Sequence, residues 1–346
     1  MSESKKKAVG IVGCGKIFKN HLLAIENNNN DYSLVAVCDT NPEILNSLEL
    51  SPEILRFSDF DELLSKMQGK MDMVVIATPN SLHQPQAISA LQSGFDVLIE
   101  KPVAFTKADV DEITKVAIET GHQVHGVLQV RYNPSVVLLK KIVDSGILGK
   151  IRSISLIQRW QRPDSYFADW RGDINVGGRT LYEVGIHYLD IVSSIFGKPK
   201  VLFTQSFKLK HKTVSFEDSV YSIVEFPSAT AGTIEISIAA EPHNLECSLT
   251  VIAENGMIKL GGKALNTVEA VEVIKTTPES DLLIEEAATI NEESFNDYGN
   301  YKGSSPNHPQ LYRLLAMGQG ITLPDISNTI SFIEDIYAAE TLPISQ

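Results

Sequence analysis

The feature that most constrains the fold is a glycine turn that joins an apolar run to a helical pattern. Residues 8–12 form the apolar run, Gly13 and Gly15 form the turn, and residues 16–26 show helical spacing. In this order Gly13 permits a tight turn, and Gly15 lets a pyrophosphate approach the backbone at the amino end of the helix. The turn therefore predicts a dinucleotide site.

A second apolar run, residues 34–38, ends at Asp39, which lies 26 residues after Gly13. The usual spacing is about 20 residues, and the asparagines at 27–30 account for the excess. A carboxylate at this point accepts hydrogen bonds from ribose hydroxyls and repels a 2′-phosphate. Because no arginine follows within residues 40–42, the pattern favours NAD over NADP.

Apolar runs continue to alternate with helical patterns as far as residue 130. The run at 73–76 leads into Thr78-Pro79-Asn80, and the run at 97–99 ends in Glu100-Lys101-Pro102. Alternation of this kind predicts a parallel sheet with right-handed crossovers, and such sheets bind ligands at the carboxyl ends of their strands. We therefore expect both polar segments at the edge that carries the glycine turn, with Lys101 acting on a substrate oxygen.

Length and charge narrow the class of protein. A chain of 346 residues predicts two domains, and a net charge of -13 argues against nucleic acid or an anionic membrane as the main partner. No apolar run reaches the roughly 18 residues of a membrane span, and the first residues show no apolar leader. The three cysteines are far apart. We expect a cytoplasmic protein without a bound metal.

The middle of the chain is rich in arginine. Six of the eight arginines lie between residues 131 and 179. A planar guanidinium suits phosphate and carboxylate, so this segment is a candidate anion site. The alternative is a set of surface strand residues, and it applies most to Arg152 and Arg159.

A second glycine turn, Gly177-Gly178, leads into a helical pattern that carries Glu183, His187 and Asp190. Spacings of four and three residues place these side chains on one helix face. A carboxylate one turn from an imidazole can orient it and raise its basicity, as general-base catalysis requires. A structural histidine is the alternative interpretation.

Taken together, four motifs resemble the glucose–fructose oxidoreductase/inositol dehydrogenase/MocA (Gfo/Idh/MocA) family over the full chain. They are Gly13-Cys14-Gly15-Lys16-Ile17, Ala77-Thr78-Pro79-Asn80 with His83, Glu100-Lys101-Pro102, and the run from Gly177 to Asp190. The resemblance implies an α/β protein with an N-terminal Rossmann domain, predicted at 1–126. It also implies a C-terminal α/β domain, predicted at 127–346, with a large open mixed, mainly antiparallel sheet through which a homodimer or homotetramer forms.

The resemblance also implies site residues. Lys101 and His187 are implied to be catalytic, with assistance from Glu183, a position that is usually Asp. The implied NAD-binding residues are Gly13, Gly15, Lys16, Ile17, Asp39, Thr78, Pro79, Asn80, His83, Glu100, Lys101, Gln129, Trp170 and Arg171. The implied substrate-binding residues are Lys101, Arg131, Tyr132, Asn133, Trp160, Arg162, Tyr166, His187 and His308.

Within the family, the middle of the chain is most similar to the UDP-N-acetylglucosaminuronate 3-dehydrogenase branch of surface polysaccharide biosynthesis. The segments that carry this likeness are 129–134, 159–163 with Tyr166, and 170–172, and the later segment 307–312 also fits nucleotide-sugar relatives. The implied activity is NAD-dependent oxidation of a ring hydroxyl of a nucleotide sugar. Alternatives are a free sugar or inositol dehydrogenase, an enzyme that retains NAD for hydrolysis, dehydration or epimerisation, and a non-catalytic NAD-binding sensor.

After residue 200, alternating runs with short turns predict antiparallel strands. Residues 263–304 are acidic and show only one further strand pattern, at 268–274. Helical patterns at 310–317 and 327–339 close the chain.

Overall fold

The computed structural model describes residues 6–227, 229–274, 276–290, 295–299 and 301–340. Residues 1–5, part of the segment used to predict the absence of a leader, lie outside this description. The chain divides into two compact units. The first comprises Met1–Leu128, Asn175–Gly177 and His308–Ile330, and the second comprises Gln129–Ile174, Gly178–Asn307 and Ser331–Gln346. The domain boundary predicted between residues 126 and 127 stays a prediction.

Strands alternate with helices through most of the first unit. Its elements are β1 (Lys7–Val12), α1 (Phe18–Asn27), β2 (Tyr32–Cys38), α2 (Pro42–Ser47), β3 (Leu55–Phe57), α3 (Phe60–Met67), β4 (Met73–Ile76), α4 (His83–Gln92), β5 (Asp96–Ile99), α5 (Lys107–Thr120) and β6 (Val124–Gly126). The strands are all parallel, in the order β3-β2-β1-β4-β5-β6. β4 is buried along its whole length and β5 beyond its first residue, because helices cover both faces of such a sheet. The predicted Rossmann sheet is confirmed.

The second unit is built on a seven-stranded sheet. Its elements are α6 (Pro134–Ser145), β7 (Ile151–Arg159), α7 (Ile186–Phe196), β8 (Lys200–Phe207), β9 (Ser219–Phe226), β10 (Thr230–Ser237), β11 (Glu246–Ala253), β12 (Gly256–Gly261), β13 (Thr267–Val273) and α8 (Pro278–Thr289). The order is β13-β12-β11-β7-β10-β9-β8, with only β7 and β10 parallel. This confirms the predicted mixed, mainly antiparallel sheet.

Two helices close the described chain, α9 (His308–Ala316) and α10 (Leu323–Ala338). Helix α9 belongs to the first unit and packs on α1. The amide of Asn28 donates to the carbonyl of Pro309 at 3.0 Å, and the hydroxyl of Tyr32 donates to the carbonyl of Tyr312 at 3.1 Å. A segment near the end of the sequence therefore packs within the same unit as the N-terminal part of the chain.

Helix α8 was not predicted, because the only pattern found in residues 263–304 was a strand at 268–274. Its start is fixed by a capping box, in which Thr277 accepts from the amide of Ser280 and the Ser280 hydroxyl accepts from the amide of Thr277. Only Ser280 and Ala287 of this helix are buried, so its apolar periodicity is too weak to mark it in the sequence.

Among the described residues, no helix combines the length and apolarity that crossing a bilayer requires.

Candidate active site

The glycine turn has the geometry that a dinucleotide needs. Gly13 has φ +92°, and a Cβ on it would lie 2.4 Å from the carbonyl oxygen of Ala77, so only glycine fits there. Gly15 is exposed, and a Cβ on it would meet no described atom within 4 Å. Helix α1 begins without a side-chain cap at Ile17. Open space beside the amide groups at the start of a helix fits a pyrophosphate.

Asp39 lies beside this turn. One carboxylate oxygen accepts from the amide of Cys14 at 2.8 Å, and the other accepts from the amide of Asn41 at 2.8 Å. A carboxylate oxygen has two lone-pair directions, so both oxygens retain capacity for ribose hydroxyls. The arrangement fits the adenosine end of NAD, because a carboxylate with remaining acceptor capacity suits ribose hydroxyls.

Replacing Asp39 with Asn is expected to weaken selection for NAD. A hydrogen bond to a charged group contributes about 1.5–3 kcal/mol, so the ratio of NADPH to NADH dissociation constants should fall about tenfold or more. Fluorescence titration with both dinucleotides measures this ratio without a substrate. Asp31→Asn, at an exposed residue of the same unit, is the control. An unchanged ratio in Asp39→Asn would remove Asp39 from cofactor selection.

The segment after β4 is tied to the segment after β5 through His83. This imidazole is buried, with Nδ1 2.7 Å from the carbonyl oxygen of Pro102 and Nε2 2.9 Å from that of Thr78. Burial lowers the pKa of His83, although both backbone hydrogen bonds oppose this shift. Asn80 is also buried and donates to the carbonyl of Gly177 at 2.8 Å. These contacts favour a supporting role for both residues, and their contact with NAD stays a prediction.

Glu100 and Lys101 follow the buried strand β5. The Glu100 side chain is buried, and the Lys101 side chain is half-buried. Nε2 of His21 and Nε2 of His308 lie 3.1 Å and 3.2 Å from the same oxygen of Glu100. His308 is therefore placed on Glu100 inside the first unit, and its predicted contact with substrate stays a prediction. No sequence motif marked His21 as a site residue, although its position one turn into α1 places it near the glycine turn.

In the second unit, His187 lies in the first turn of α7. The residues before it, Leu181–Gly185, form a π-helical turn, which the sequence analysis expected to be regular α-helix. A π-turn changes the angular spacing of side chains, so the four-residue interval between Glu183 and His187 no longer fixes a shared face. A Cβ on Gly185 would lie 2.8 Å from Cδ1 of Ile236 in β10, so glycine permits close packing of this turn on the sheet.

Two acidic residues of this helical segment have partners from other elements. Glu183 is buried and accepts from the Tyr166 hydroxyl at 2.9 Å, and its carboxylate lies 4.0 Å from Nε of Arg171. Asp190 is fully buried and holds both Nε and Nη2 of Arg131, at 2.6 Å and 2.7 Å. Orientation of His187 by Glu183 and substrate binding by Arg131 stay predictions.

Arg162 lies in an aromatic cage. Its guanidinium carbon lies 4.8 Å, 5.3 Å and 5.0 Å from the ring centroids of Trp160, Tyr166 and Tyr301. Only 3% of the residue is exposed, burial lowers its pKa, and no carboxylate in the described part of the chain forms an ion pair with it. Nearby, Arg171 lies 5.4 Å from the Tyr166 ring and 4.2 Å from the Trp170 ring. A buried cation held by aromatic faces is suited to an anionic group.

The other arginines of the rich segment serve different contacts. Arg159 bridges Glu235 and Glu246, and Arg179 bridges Glu217 and Glu340. The number of arginines in the segment therefore overstated its capacity to bind an anion.

The remaining predicted residues of the second unit have backbone partners or partial exposure. Asn133 is buried and donates to the carbonyls of Ala264 and Leu265, and Gln129 donates to the carbonyl of Ser305 as well as to the hydroxyl of Ser304. The Trp160 indole donates to the carbonyl of Lys263 at 2.7 Å. Tyr132 and Trp170 are half-buried. The functional roles assigned to these residues stay predictions.

Two family models match this chain. Residues 7–127 match "Oxidoreductase family, NAD-binding Rossmann fold", and residues 136–259 match "GFO/IDH/MocA C-terminal domain". The first match and the geometry of the glycine turn together establish NAD as the cofactor class of the first unit.

Similar proteins include several sugar enzymes. A 2,7-anhydro-N-acetylneuraminate hydratase of Escherichia coli is 27% identical over 65% of this chain, and the match spans only 60% of the hydratase. An inositol 2-dehydrogenase of Salmonella typhimurium is 24% identical over 72% of this chain and 73% of its own length.

A solved structure is similar to this chain over nearly its whole length and is more identical in sequence than the two relatives above. The WlbA dehydrogenase of Bordetella pertussis, in complex with NADH and UDP-GlcNAcA, is 29% identical with a TM-score of 0.86, over 97% of this chain and 96% of WlbA. The motifs, both sheets and the two matched models agree. The chain belongs to the Gfo/Idh/MocA family of NAD-binding oxidoreductases.

Proposed function

We propose that this protein oxidises a ring hydroxyl of a nucleotide sugar, specifically C3 of UDP-N-acetylglucosaminuronate. The observation that carries the proposal is the likeness, over 97% of the chain, to a dehydrogenase solved with NADH and UDP-GlcNAcA. Anion-binding chemistry in the second unit supports it, because this substrate class has a diphosphate and a carboxylate. Arg162, which forms no ion pair with a described carboxylate, is the guanidinium group that we assign first to those anions. Arg171, on the same Tyr166 ring but already paired with Asp169 at 2.5 Å, is the second candidate.

The mechanism assigns separate tasks to two residues. When bound, NAD supplies the acceptor for the hydride of the oxidised carbon. The Lys101 ammonium donates a hydrogen bond to the substrate oxygen and stabilises the negative charge that develops there. His187 accepts the hydroxyl proton as the general base. We assign to Glu183, whose carboxylate accepts a hydrogen bond from the Tyr166 hydroxyl, the assisting role of orienting His187.

A substrate panel tests the proposal. The purified protein with NAD should produce NADH absorbance with UDP-N-acetylglucosaminuronate and little with free glucose or myo-inositol. UDP-N-acetylglucosamine, which lacks the carboxylate, should show a kcat/KM lower by about tenfold or more, because a hydrogen bond to a charged group contributes about 1.5–3 kcal/mol. Nuclear magnetic resonance of the product should place the ketone at C3. Faster oxidation of a free sugar or inositol would replace the proposed substrate class.

A second candidate is a reaction in which NAD is reduced and then reoxidised within one turnover. It is favoured by the 27% identity to a protein named as a hydratase. Under this alternative a sugar is consumed without accumulation of NADH. Measuring substrate loss and NADH absorbance in the same reaction distinguishes the two candidates, because the dehydrogenase releases one NADH for each sugar oxidised. A protein that binds NAD without consuming any sugar would instead be a sensor.

A further inference from the structure

A buried polar cluster lies where β5 ends in the first unit. It comprises Glu100, His21 of α1, and His308 and Tyr312 of α9, all of them buried. Both histidines place Nε2 on one oxygen of Glu100, at 3.1 Å and 3.2 Å, and the Tyr312 hydroxyl lies 2.9 Å from Nδ1 of His21. The other Glu100 oxygen accepts from the backbone amide of Lys101 at 3.1 Å. The cluster thus joins the proposed catalytic lysine to two helices.

The protonation states follow from the contacts. Burial by itself raises the pKa of the Glu100 carboxyl, but hydrogen bonds from His21 and His308, together with electrostatic attraction to their rings, outweigh burial and hold that pKa well below its usual range. An ionised carboxylate only accepts, so both histidines donate from Nε2. Burial lowers the pKa of His21, so its ring is neutral and Nδ1 accepts from the Tyr312 hydroxyl. Each hydrogen bond therefore has one donor and one acceptor.

We propose that His21 and His308 are positioning residues that fix the backbone of Lys101 through Glu100. Two donors on one oxygen hold the carboxylate in place, and its second oxygen then holds the Lys101 amide. A lysine at a strand end otherwise depends on its own flexible side chain for placement. The proposal rests on the catalytic role of Lys101 proposed above, because positioning matters only if Lys101 acts on substrate.

Glu100, His21 and His308 also form a candidate set of metal ligands, since their ligand atoms all lie within 4.8 Å of one another. Structural zinc sites take four protein ligands, and catalytic zinc sites take three and leave a fourth position open to water. This group offers three ligands among the described residues, and all three residues are buried. The second Glu100 oxygen is also engaged by the Lys101 amide. Hydrogen bonding accounts for these contacts without an ion, and metal analysis of the purified protein decides between the two.

The first test measures the Lys101 backbone without any substrate. In His308→Leu, hydrogen exchange resolved to single residues should show the Lys101 amide exchanging about 10-fold to 100-fold faster, because its acceptor has lost one of two anchors. His308→Gln retains a donor near the position of Nε2 and should restore most of the protection. His125→Gln, a histidine of the same unit outside the cluster, is the control. Unchanged exchange at Lys101 in His308→Leu overturns the proposal.

The second test measures turnover. With a substrate that the wild-type protein oxidises, His21→Leu and His308→Leu should lower kcat about 10-fold to 100-fold, since a misplacement of about 1 Å can cost that much. The NADH dissociation constant should stay within about twofold, and Gln at position 308 should recover kcat. In a Glu100→Gln background, His308→Leu should cause little further loss, because both changes break one chain of contacts.

Besides unchanged exchange at Lys101, four outcomes of the turnover and metal measurements overturn the inference. They are unchanged kcat in both leucine variants, full additivity with Glu100→Gln, no recovery in His308→Gln, and one bound metal per chain that is lost in His308→Leu. If no sugar is oxidised, the proposed function fails on the substrate panel. The exchange experiment then still supports or overturns the positioning of Lys101 on its own.

Discussion

Replacing Lys101 with Met is expected to lower kcat about 10²-fold to 10³-fold while the NADH dissociation constant changes by less than about twofold. Met keeps the length of the side chain and removes its charge and hydrogen-bond donors. Loss of one donor aimed at a developing oxyanion typically costs this much in turnover. Stopped-flow measurement of NADH formation gives kcat, and fluorescence titration gives the dissociation constant.

Lys107→Met is the matched control, because Lys107 is exposed at the start of α5 and pairs with Asp111 of the same helix. It should retain wild-type turnover. A Lys101→Met protein with wild-type kcat would show that the strand-end lysine takes no part in the chemistry. Loss of NADH binding together with kcat would instead assign Lys101 to the cofactor.

Replacing His187 with Ala is expected to lower kcat about 10²-fold to 10⁴-fold, the usual contribution of a positioned general base. The substitution removes the proton acceptor and leaves space at the start of α7. Added imidazole should therefore restore part of the lost turnover in proportion to its concentration. Such rescue distinguishes a missing base from a disturbed helix, because imidazole can replace a proton acceptor and cannot repair packing.

His243→Ala is the control in the same unit, since His243 is exposed. It should keep full activity and should not respond to imidazole. If imidazole leaves His187→Ala unchanged and its melting temperature has fallen by several degrees, His187 is structural. The general-base assignment would then be withdrawn, and the substrate panel would still decide the substrate class.

Short-range patterns in the sequence were sufficient to predict the strands and helices of the first unit. The glycine turn, the apolar runs and the helical spacing lie within a few residues of each other, so strand, turn and helix could be assigned locally. Burial on both faces makes β4 and β5 continuous apolar runs, and polar residues follow where each strand ends. The positions of Thr78 and Lys101 at strand ends follow from this alternation alone.

Local patterns were less informative in the second unit. Helix α8 is mostly exposed and lacks strong periodicity, so its capping box went unnoticed. The π-turn at Leu181–Gly185 keeps helical composition and differs from an α-helix in hydrogen bonding and in the angular spacing of its side chains, and residue types indicate neither. The four-residue interval between Glu183 and His187 indicates a shared face only in a regular α-helix, and Glu183 lies in the π-turn.

Site chemistry was predicted best where a motif is contiguous and worst where partners come from distant segments. Arg162 could be named as a candidate from the arginine-rich segment, but Tyr301, which completes its cage, lies 139 positions later. Arg179 was counted with the anion-binding candidates until the structure paired it with carboxylates. Arg159, to which the alternative of a surface strand residue applied most, also pairs with carboxylates. Residue type predicts what a side chain can bind, and only its neighbours decide what it does bind.

The sequence by itself determined the parallel sheet, the glycine turn and the strand end that presents Glu100 and Lys101, because these depend on periodicity and on adjacent residues. Only the tertiary structure decided what holds that strand end. His308 reaches Glu100 across 208 positions and Tyr312 reaches His21 across 291. The physical reason is that burial leaves a carboxylate stable only with donors nearby, and folding can bring those donors from any distance along the chain.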